Sequence, residues 1–259
     1  QSFFDSELEM MNRVHNASQA VQTIEWTEKL FDNFSIDLIY GVPSSNLLTW
    51  EKNLNRALSF NIPHLSTYAL TVESKTVLAH HVKNNEIKLL NDEGVKSQYD
   101  WMIRRLEDAG YENYEFSNFS KPGFNSVNNS NYWSGKPYLG IGPSAHSFDG
   151  NRKRSWNVSN NVKYLKSIQQ GNLPSSFEEL SAHEAFNEYL MTALRTSRGV
   201  SLQKINETFG ERFTSYLEKQ VENHLISQRL FWDGDALKVS KTAKFLTDGI
   251  ASDLFIIKS

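Results

Sequence analysis

The chain has 259 residues, which is enough for one large or two ordinary domains. Hydrophobic residues make up 39%, aromatic residues 12% and charged residues 22%, a mixture that excludes a disordered chain. The formal charge of −3 gives no global attraction to nucleic acid, and the lack of cysteine excludes disulfides and any metal centre held by thiolates of this chain.

Helical and strand patterns alternate through the first half of the chain. A short helical pattern extends through Val14, and Asn16 with Gln19 forms a capping-box pattern for a helix that runs to about Phe31. Further helical patterns separate short apolar segments that predict strands. These segments are residues 35–41, 64–70 and 111–116.

This alternation is typical of βα units and predicts a parallel sheet, open or barrel-shaped, within residues 1–150. We expect the first strand of that sheet to have an uncovered edge. Residues 117–138 are rich in Asn, Ser, Gly and Pro and carry several aromatic residues, so they predict a long loop that binds or covers a ligand.

The pattern changes near residue 160. Ser181 and Glu184 form a second capping-box pattern, and helical patterns continue over 202–209 and 213–226 before a hairpin at 230–240. A last helix is predicted over 242–254. Three helices followed by a hairpin predict a winged-helix-like domain, so the fold class is α/β. It combines a partial parallel barrel fragment, residues 1–160, with a mostly helical winged-helix-like domain, residues 161–259.

Two single residues are candidates for a binding site. Asp37 lies inside an apolar strand segment, where an unpaired carboxylate is costly, so we expect it either to face a ligand or to have a structural hydrogen-bond partner. His146 follows a run of small residues whose backbone could approach a flat or anionic ligand, although a turn with a hydrogen-bonded histidine fits equally. His80 and His81 are interpreted as solvated surface.

Several strings, taken in order, resemble the radical S-adenosylmethionine proteins related to oxygen-independent coproporphyrinogen III oxidase, and in particular their haem-chaperone (HemW-like) branch. The resemblance covers nearly the whole chain. Since that family carries its cysteine-bound four-iron cluster in an N-terminal segment, we interpret this chain, which starts at Gln1 without methionine, as the C-terminal portion of a longer protein. The strings are Gln1-Ser2-Phe3, Asp37–Pro43, His64–Tyr68, Gly110–Glu112, Tyr114–Phe119, Asn131–Trp133 and Gly140–His146.

The resemblance implies an incomplete βα barrel with S-adenosylmethionine across the C-terminal ends of its strands. The positions that match cofactor contacts of the family are Gln1, Arg13, Asp37 at a strand end, and Thr71 after the next strand. Their chemistry agrees, because a carboxylate accepts from ribose hydroxyls while Arg and Gln hold the methionyl end. The chain alone is predicted to be inactive, because the cluster ligands lie outside it and no metal ligands or catalytic residues are assigned within it.

One position departs from the haem-chaperone branch. That branch usually has H-N-x-x-Y-W, and here the string runs from Asn128 to Trp133, with an amide at the position of the haem-interacting histidine. An amide is a poor iron ligand compared with imidazole. Haem therefore binds through another residue, for which His146 is the candidate, or is handled differently.

The leading hypothesis is a HemW-like protein of haem delivery or porphyrin metabolism, with haem or a porphyrin as ligand and an unidentified haem-recipient protein. The alternative is a genuine oxygen-independent coproporphyrinogen III oxidase, which decarboxylates propionate side chains. A nucleic-acid-binding winged helix is disfavoured, because residues 161–259 carry 12 basic and 12 acidic residues. No apolar run approaches the roughly 20 residues of a membrane span, so we expect a cytoplasmic protein and leave peripheral membrane contact open.

Overall fold

The computed structural model describes residues 1–43 and 45–257. The chain divides into two compact units, unit 1 (Gln1–Ser126) and unit 2 (Val127–Ser259). This division differs from the sequence-based boundary at 160, because two strands before that residue pair within a sheet completed by residues 175–179. The assignment of residues 1–160 to a barrel portion and of 161–259 to a separate domain stays a prediction.

Unit 1 is built around a four-stranded mixed sheet. The first two strands are parallel, and the last strand in chain order lies antiparallel to both of its neighbours, giving the order β1-β2-β4-β3. The helices are α1 (Asp5–Met10), α2 (Ala17–Leu30), α3 (Leu47–Leu58), α4 (Val77–Lys83) and α5 (Asp92–Asp108), and the strands are β1 (Ser35–Tyr40), β2 (His64–Ala69), β3 (Glu112–Glu115) and β4 (Asn118–Ser120).

The sheet confirms the α/β class and the parallel pairing of the first two predicted strands. The third predicted strand is present as β3, but it does not pair with β2. It pairs antiparallel with β4 instead. The chain turns back at once into β4, which inserts between β2 and β3. The expectation of a loop beginning at residue 117 is therefore wrong for β4, and the described residues form no closed barrel.

Helices α3 and α5 pack on one face of this sheet. Tyr40 of β1 contacts Trp50 and Tyr99, with ring centroids 5.7 and 6.2 Å away. Leu38 lies on the same side of β1 as Tyr40, because alternate residues of a strand share a face. The apolar layer is buried and leaves the opposite sheet face to polar residues. Its other buried members include Leu54, Leu65, Met102, Leu106 and Phe119.

In unit 1 the predicted capping box is confirmed, but the first helix ends earlier than predicted. Asn16 and Gln19 form the predicted capping box at the start of α2. The helical interpretation through Val14 was wrong, because the chain leaves α1 and reverses at Asn12, whose φ is 54°. Val14 is fully exposed.

Unit 2 contains two small antiparallel sheets among its helices, ordered β5-β6-β7 and β8-β10-β9. Its helices are α6 (Val127–Trp133), α7 (Asn161–Gln169), α8 (Ala182–Leu194), α9 (Leu202–Phe209), α10 (Glu211–Gln220), α11 (Glu222–Ile226) and α12 (Thr247–Asp253), with a 3₁₀ helix at Lys241–Leu246. Its strands are β5 (His146–Phe148), β6 (Lys153–Asn157), β7 (Ser175–Glu179), β8 (Val200–Ser201), β9 (Leu230–Asp233) and β10 (Ala236–Val239).

The winged-helix-like order is confirmed in α8 to β10. The capping box of Ser181 and Glu184 starts α8, and β9 with β10 forms the predicted hairpin. The predicted third helix is divided into α10 and α11 at Val221, and the predicted last helix begins as a 3₁₀ helix. A single apolar core joins these elements through buried residues that include Phe186, Leu190, Leu217 and Leu237.

Two features of unit 2 were not predicted. Helix α6 lies inside the segment that the sequence predicts as a loop, and β5, β6 and β7 form a sheet where only a turn was considered. In the part of the chain that the structure describes, no helix is both long enough and apolar enough to span a membrane.

Candidate functional site

The sheet of unit 1 presents a polar face on the side opposite α3 and α5. Register pairs Ser35 with His64 and Asp37 with Ser66, so these side chains lie on one face in neighbouring strands. The same register continues into β4. We define the polar sheet face by its six residues, Ser35, Asp37, His64, Ser66, Asn118 and Ser120.

His64 is the buried centre of the polar sheet face. Its Nδ1 lies 2.7 Å from Oγ of Ser35 and its Nε2 lies 2.7 Å from the hydroxyl of Tyr114. Burial lowers the pKa of His64 below its usual value, while the Asp37 carboxylate acts in the opposite direction. A neutral imidazole held at both nitrogens fixes the orientation of this part of the sheet.

Asn118 contributes a hydrogen-bond acceptor to the same face. Its amide nitrogen donates to the carboxylate of Glu115. Its Oδ1 is buried and has no hydrogen-bond partner among the described residues. A buried acceptor without a hydrogen-bond partner raises the free energy of the folded state. A ligand that donates a hydrogen bond to this oxygen would therefore be stabilised here.

Buried polar contacts fix the first residues of the chain. The hydroxyl of Ser2 and the amide nitrogen of Asn53 both donate to one oxygen of Glu7, at 2.5 and 2.9 Å. The N–H of Phe3 donates to Oδ1 of Asn53 at 2.7 Å. This network holds Gln1 beside β1, where its carbonyl accepts from the N–H of Ile39 at 2.9 Å and covers part of the strand edge that was expected to be open.

A cavity of about 300 Å³ at this edge of β1 brings two of the four predicted cofactor-binding residues together. Gln1 and Asp37 line it. Arg13 is exposed after α1 and does not line this cavity. Thr71 is exposed in the chain after β2 and does not line this cavity.

Asp37 differs from its predicted setting in two respects. It is the third residue of β1 instead of the last, and its side chain is exposed instead of buried in an apolar strand. The reason is the alternation of the strand, which turns Leu38 and Tyr40 to the helices and Asp37 away from them. Its role in cofactor binding stays a prediction.

Unit 2 contains a larger cavity, of about 460 Å³, that we name the aromatic cavity. Helix α6, strand β5 and helices α8 and α9 each contribute rings to it. Some of these rings contact one another: the centroids of Tyr132 and Tyr138 are 4.7 Å apart, and those of Tyr138 and Phe148 are 6.2 Å apart. The six aromatic residues that line it are Tyr132, Trp133, Tyr138, Phe148, Tyr189 and Phe209.

Charged side chains also line the aromatic cavity. Arg154 donates to Glu188 at 2.5 Å and to Glu178 at 2.6 Å. Burial raises the pKa of Glu188, although Arg154 acts against this shift. Arg152 and Lys204 line the same cavity, and the ammonium of Lys204 lies 4.8 Å from the centroid of the Tyr189 ring.

Neither of the two positions discussed for haem lines the aromatic cavity itself. Asn128 is exposed in α6, four residues before Tyr132, so the two side chains occupy the same helix face. His146 is exposed in β5, two residues before Phe148. Its ring centroid is 6.2 Å from that of Trp156, and the two residues line a separate cavity of about 560 Å³.

The glycine-rich string before His146 has a structural reason. A Cβ atom at Gly140 would lie 2.1 Å from the carbonyl oxygen of His146, so only glycine allows this backbone approach. Ser147 accepts the N–H of Gly140 at 2.9 Å. The small residues therefore fix the position of β5. That their backbone also approaches a ligand stays a prediction.

The polar sheet face and most of the aromatic cavity were not found from the sequence. For the polar face a signal existed: the apolar Leu65 separates His64 from Ser66, and the apolar Phe119 separates Asn118 from Ser120. For the aromatic cavity the sequence gave only the aromatic residues of 117–138, because the other rings and cations come from strands and helices up to residue 209.

Comparison with known proteins agrees with this architecture. A family model described as the HemN C-terminal domain matches residues 180–246. The heme chaperone HemW of Bacillus subtilis is 33% identical over 232 residues, covering 87% of this chain and 61% of the relative. The heme chaperone HemW of Mycobacterium tuberculosis is 30% identical over 251 residues, covering 95% of this chain and 62% of the relative. The chain thus spans about three fifths of the length of these relatives.

A solved structure shares the fold. Coproporphyrinogen III oxidase (HemN) from Escherichia coli, described as a radical SAM enzyme, matches 98% of this chain and 62% of its own with a TM-score of 0.77 and 18% identity. The chain therefore has the fold of this HemN structure. In sequence it is similar to the HemW relatives over most of its own length, which confirms the resemblance found in the sequence.

Proposed function

We propose that this chain is the haem-binding part of a HemW-like haem chaperone and that the aromatic cavity of unit 2 receives the haem. The observation that carries the proposal is a cavity of about 460 Å³ lined by six aromatic residues, with Asn128 one helical turn from its lining residue Tyr132. Planar porphyrin rings stack well on aromatic side chains, and burial of such a large apolar surface favours binding.

The proposal also assigns the residue that binds the haem iron. His146 lies one alternate position along β5 from the cavity-lining Phe148, which is about 7 Å along the strand at the usual rise. Its ring lines the cavity it shares with Trp156, so the proposal requires the haem to extend from the aromatic cavity along β5. Asn128 occupies the position where the family has a histidine and does not replace imidazole as an iron ligand. We therefore assign iron ligation to His146.

The cavity at the edge of β1 belongs to the same proposal. We infer that Gln1, Arg13, Asp37 and Thr71 contact S-adenosylmethionine in the longer protein. Support comes from the buried Oε1 of Gln1, which has no hydrogen-bond partner among the described residues and could accept from the methionyl amino group. A four-iron cluster does not fit this chain, which contains no cysteine, so we expect none after anaerobic reconstitution.

The alternative function is that of a genuine oxygen-independent coproporphyrinogen III oxidase. The shared fold and a cavity suited to a tetrapyrrole are compatible with it. Formation of protoporphyrinogen by the longer protein would favour the oxidase, and transfer of haem to a recipient protein without that product would favour the chaperone. The proposal keeps a cytoplasmic location, with peripheral membrane contact left open.

Haemin titration of the 259-residue chain, followed by the Soret absorption, tests the proposal. We expect saturation near one equivalent, weaker binding by Tyr138→Ala, and unchanged binding by the control Phe177→Ala, an exposed ring that does not line the cavity. We expect His146→Ala to alter the Soret band and Asn128→His to bind more tightly. A lack of saturable binding overturns the proposal, and wild-type behaviour of His146→Ala overturns the ligand assignment.

A further inference from the structure

The aromatic cavity has positive charge that the surrounding acids do not neutralise. The guanidinium of Arg154 is paired with Glu178 and Glu188. Within the described part of the chain, neither Arg152 nor Lys204 takes part in an ion pair. The cavity therefore combines aromatic walls with two cations that lack an acidic partner.

The surroundings of the two cations favour an anionic ligand. Arg152 is half-buried. Lys204 is exposed as a whole residue, but its ammonium lies 4.8 Å from the centroid of the Tyr189 ring, which shields it on one side. Burial lowers the pKa of Lys204, and the charge of Arg198 lowers it further, so a nearby carboxylate would relieve an unfavourable environment for the ammonium. A cation partly shielded from water binds a carboxylate more strongly than a fully solvated one.

The chemistry that matches this site is a flat aromatic ring system that carries carboxylates. We propose, building on the proposed haem-binding function, that Arg152 and Lys204 bind the carboxylates of a porphyrin whose ring lies among the aromatic residues. The site therefore selects a free porphyrin diacid over its ester. This selection does not require iron, so iron-free porphyrins bind through the same two residues.

The experiment compares carboxylate recognition with ring recognition. Haemin, haemin dimethyl ester and iron-free protoporphyrin IX are titrated into the wild-type chain, Arg152→Gln, Lys204→Gln and the double variant, and binding is followed by quenching of tryptophan fluorescence. Lys153→Gln is the matched control, because Lys153 lies beside Arg152 in the chain but its ammonium is 4.4 Å from the centroid of the exposed Phe177 ring and it does not line the cavity.

Each single variant at Arg152 or Lys204 is expected to weaken haemin and protoporphyrin binding by about tenfold, the effect of losing one partly shielded charge-assisted contact. The double variant should bind the diester as the wild type does, which shows that its cavity is intact, and should lose the preference for the diacid. Lys153→Gln should keep that preference.

Two results would overturn the inference, and they are distinguishable. If the wild type binds haemin and its diester equally well, or if the Lys153 control weakens binding as much as Arg152→Gln, carboxylate recognition by Arg152 and Lys204 is wrong while haem binding stands. If the wild type binds none of the three ligands, the proposed haem-binding function itself fails and this inference fails with it.

Discussion

The polar sheet face of unit 1 and the aromatic cavity of unit 2 are built in different ways. The first arises from alternate residues of three neighbouring strands, with His64 fixed between Ser35 and Tyr114. The second is assembled from α6, β5, β6, α8 and α9, so its lining residues are spread over nearly 80 positions of the chain. The difference teaches that a site made by strand alternation leaves a signal in the sequence, whereas a cavity assembled from elements distant in the chain leaves almost none.

The largest expected effect concerns the independence of the two units. Phe119 and Phe186 are fully buried in units 1 and 2. Replacing either by alanine should lower stability by about 3–5 kcal/mol, because a large apolar contact is lost and a cavity remains. Hydrogen exchange should show lost protection mainly within residues 1–126 for Phe119→Ala and within 127–257 for Phe186→Ala. Equal loss across the chain in both variants would contradict two separate cores.

A smaller effect is expected in unit 2 at the glycine beside β5. Gly140→Ala would place a methyl group against the backbone of His146 and should lower stability by about 1–3 kcal/mol through forced displacement of the strand. Gly249→Ala is the control, since nothing lies within 4 Å of its Cβ position in α12. Urea unfolding of the two variants compares them, and equal midpoints would show that the close approach at Gly140 is unimportant.

The smallest effect is the pH dependence that His64 gives to unit 1. Burial lowers its folded pKa below the usual value of 6.5, so the unfolded chain takes up a proton that the folded chain does not. Stability should therefore fall as the pH drops below about 6.5, by at most about 1.4 kcal/mol per pH unit. His64→Gln should flatten this dependence in hydrogen exchange of residues 1–126. An unchanged slope would mean that other groups cause it.

Much of the fold was readable from the sequence, for physical reasons that differ between elements. The capping boxes at Asn16 and Ser181 are local, and β1 and β2 are short apolar segments next to turns, so both signals lie within a few residues. Strand β4 has three residues, and its direction depends on pairing with β2, a contact distant in the chain. Local patterns cannot specify such a contact, and the predicted loop was wrong there.

The site residues show the same limit. Asp37 was singled out because a carboxylate in an apolar strand is unusual, and the structure places it with Gln1 at one cavity. Arg152 and Lys204 carry no such local signal, because charged residues near turns and helix starts are ordinary surface features. They stand out only when the fold brings them to the same aromatic lining.

Hydrogen exchange of the chain with and without haemin tests the central claim, that the haem site lies in unit 2, most directly. The account predicts added protection in peptides that cover residues 127–157 and 182–209, which contain the aromatic cavity and His146, and unchanged exchange in residues 1–43 around Gln1 and Asp37. Protection confined to residues 1–43, or haemin binding without any change in 127–157 and 182–209, would contradict it.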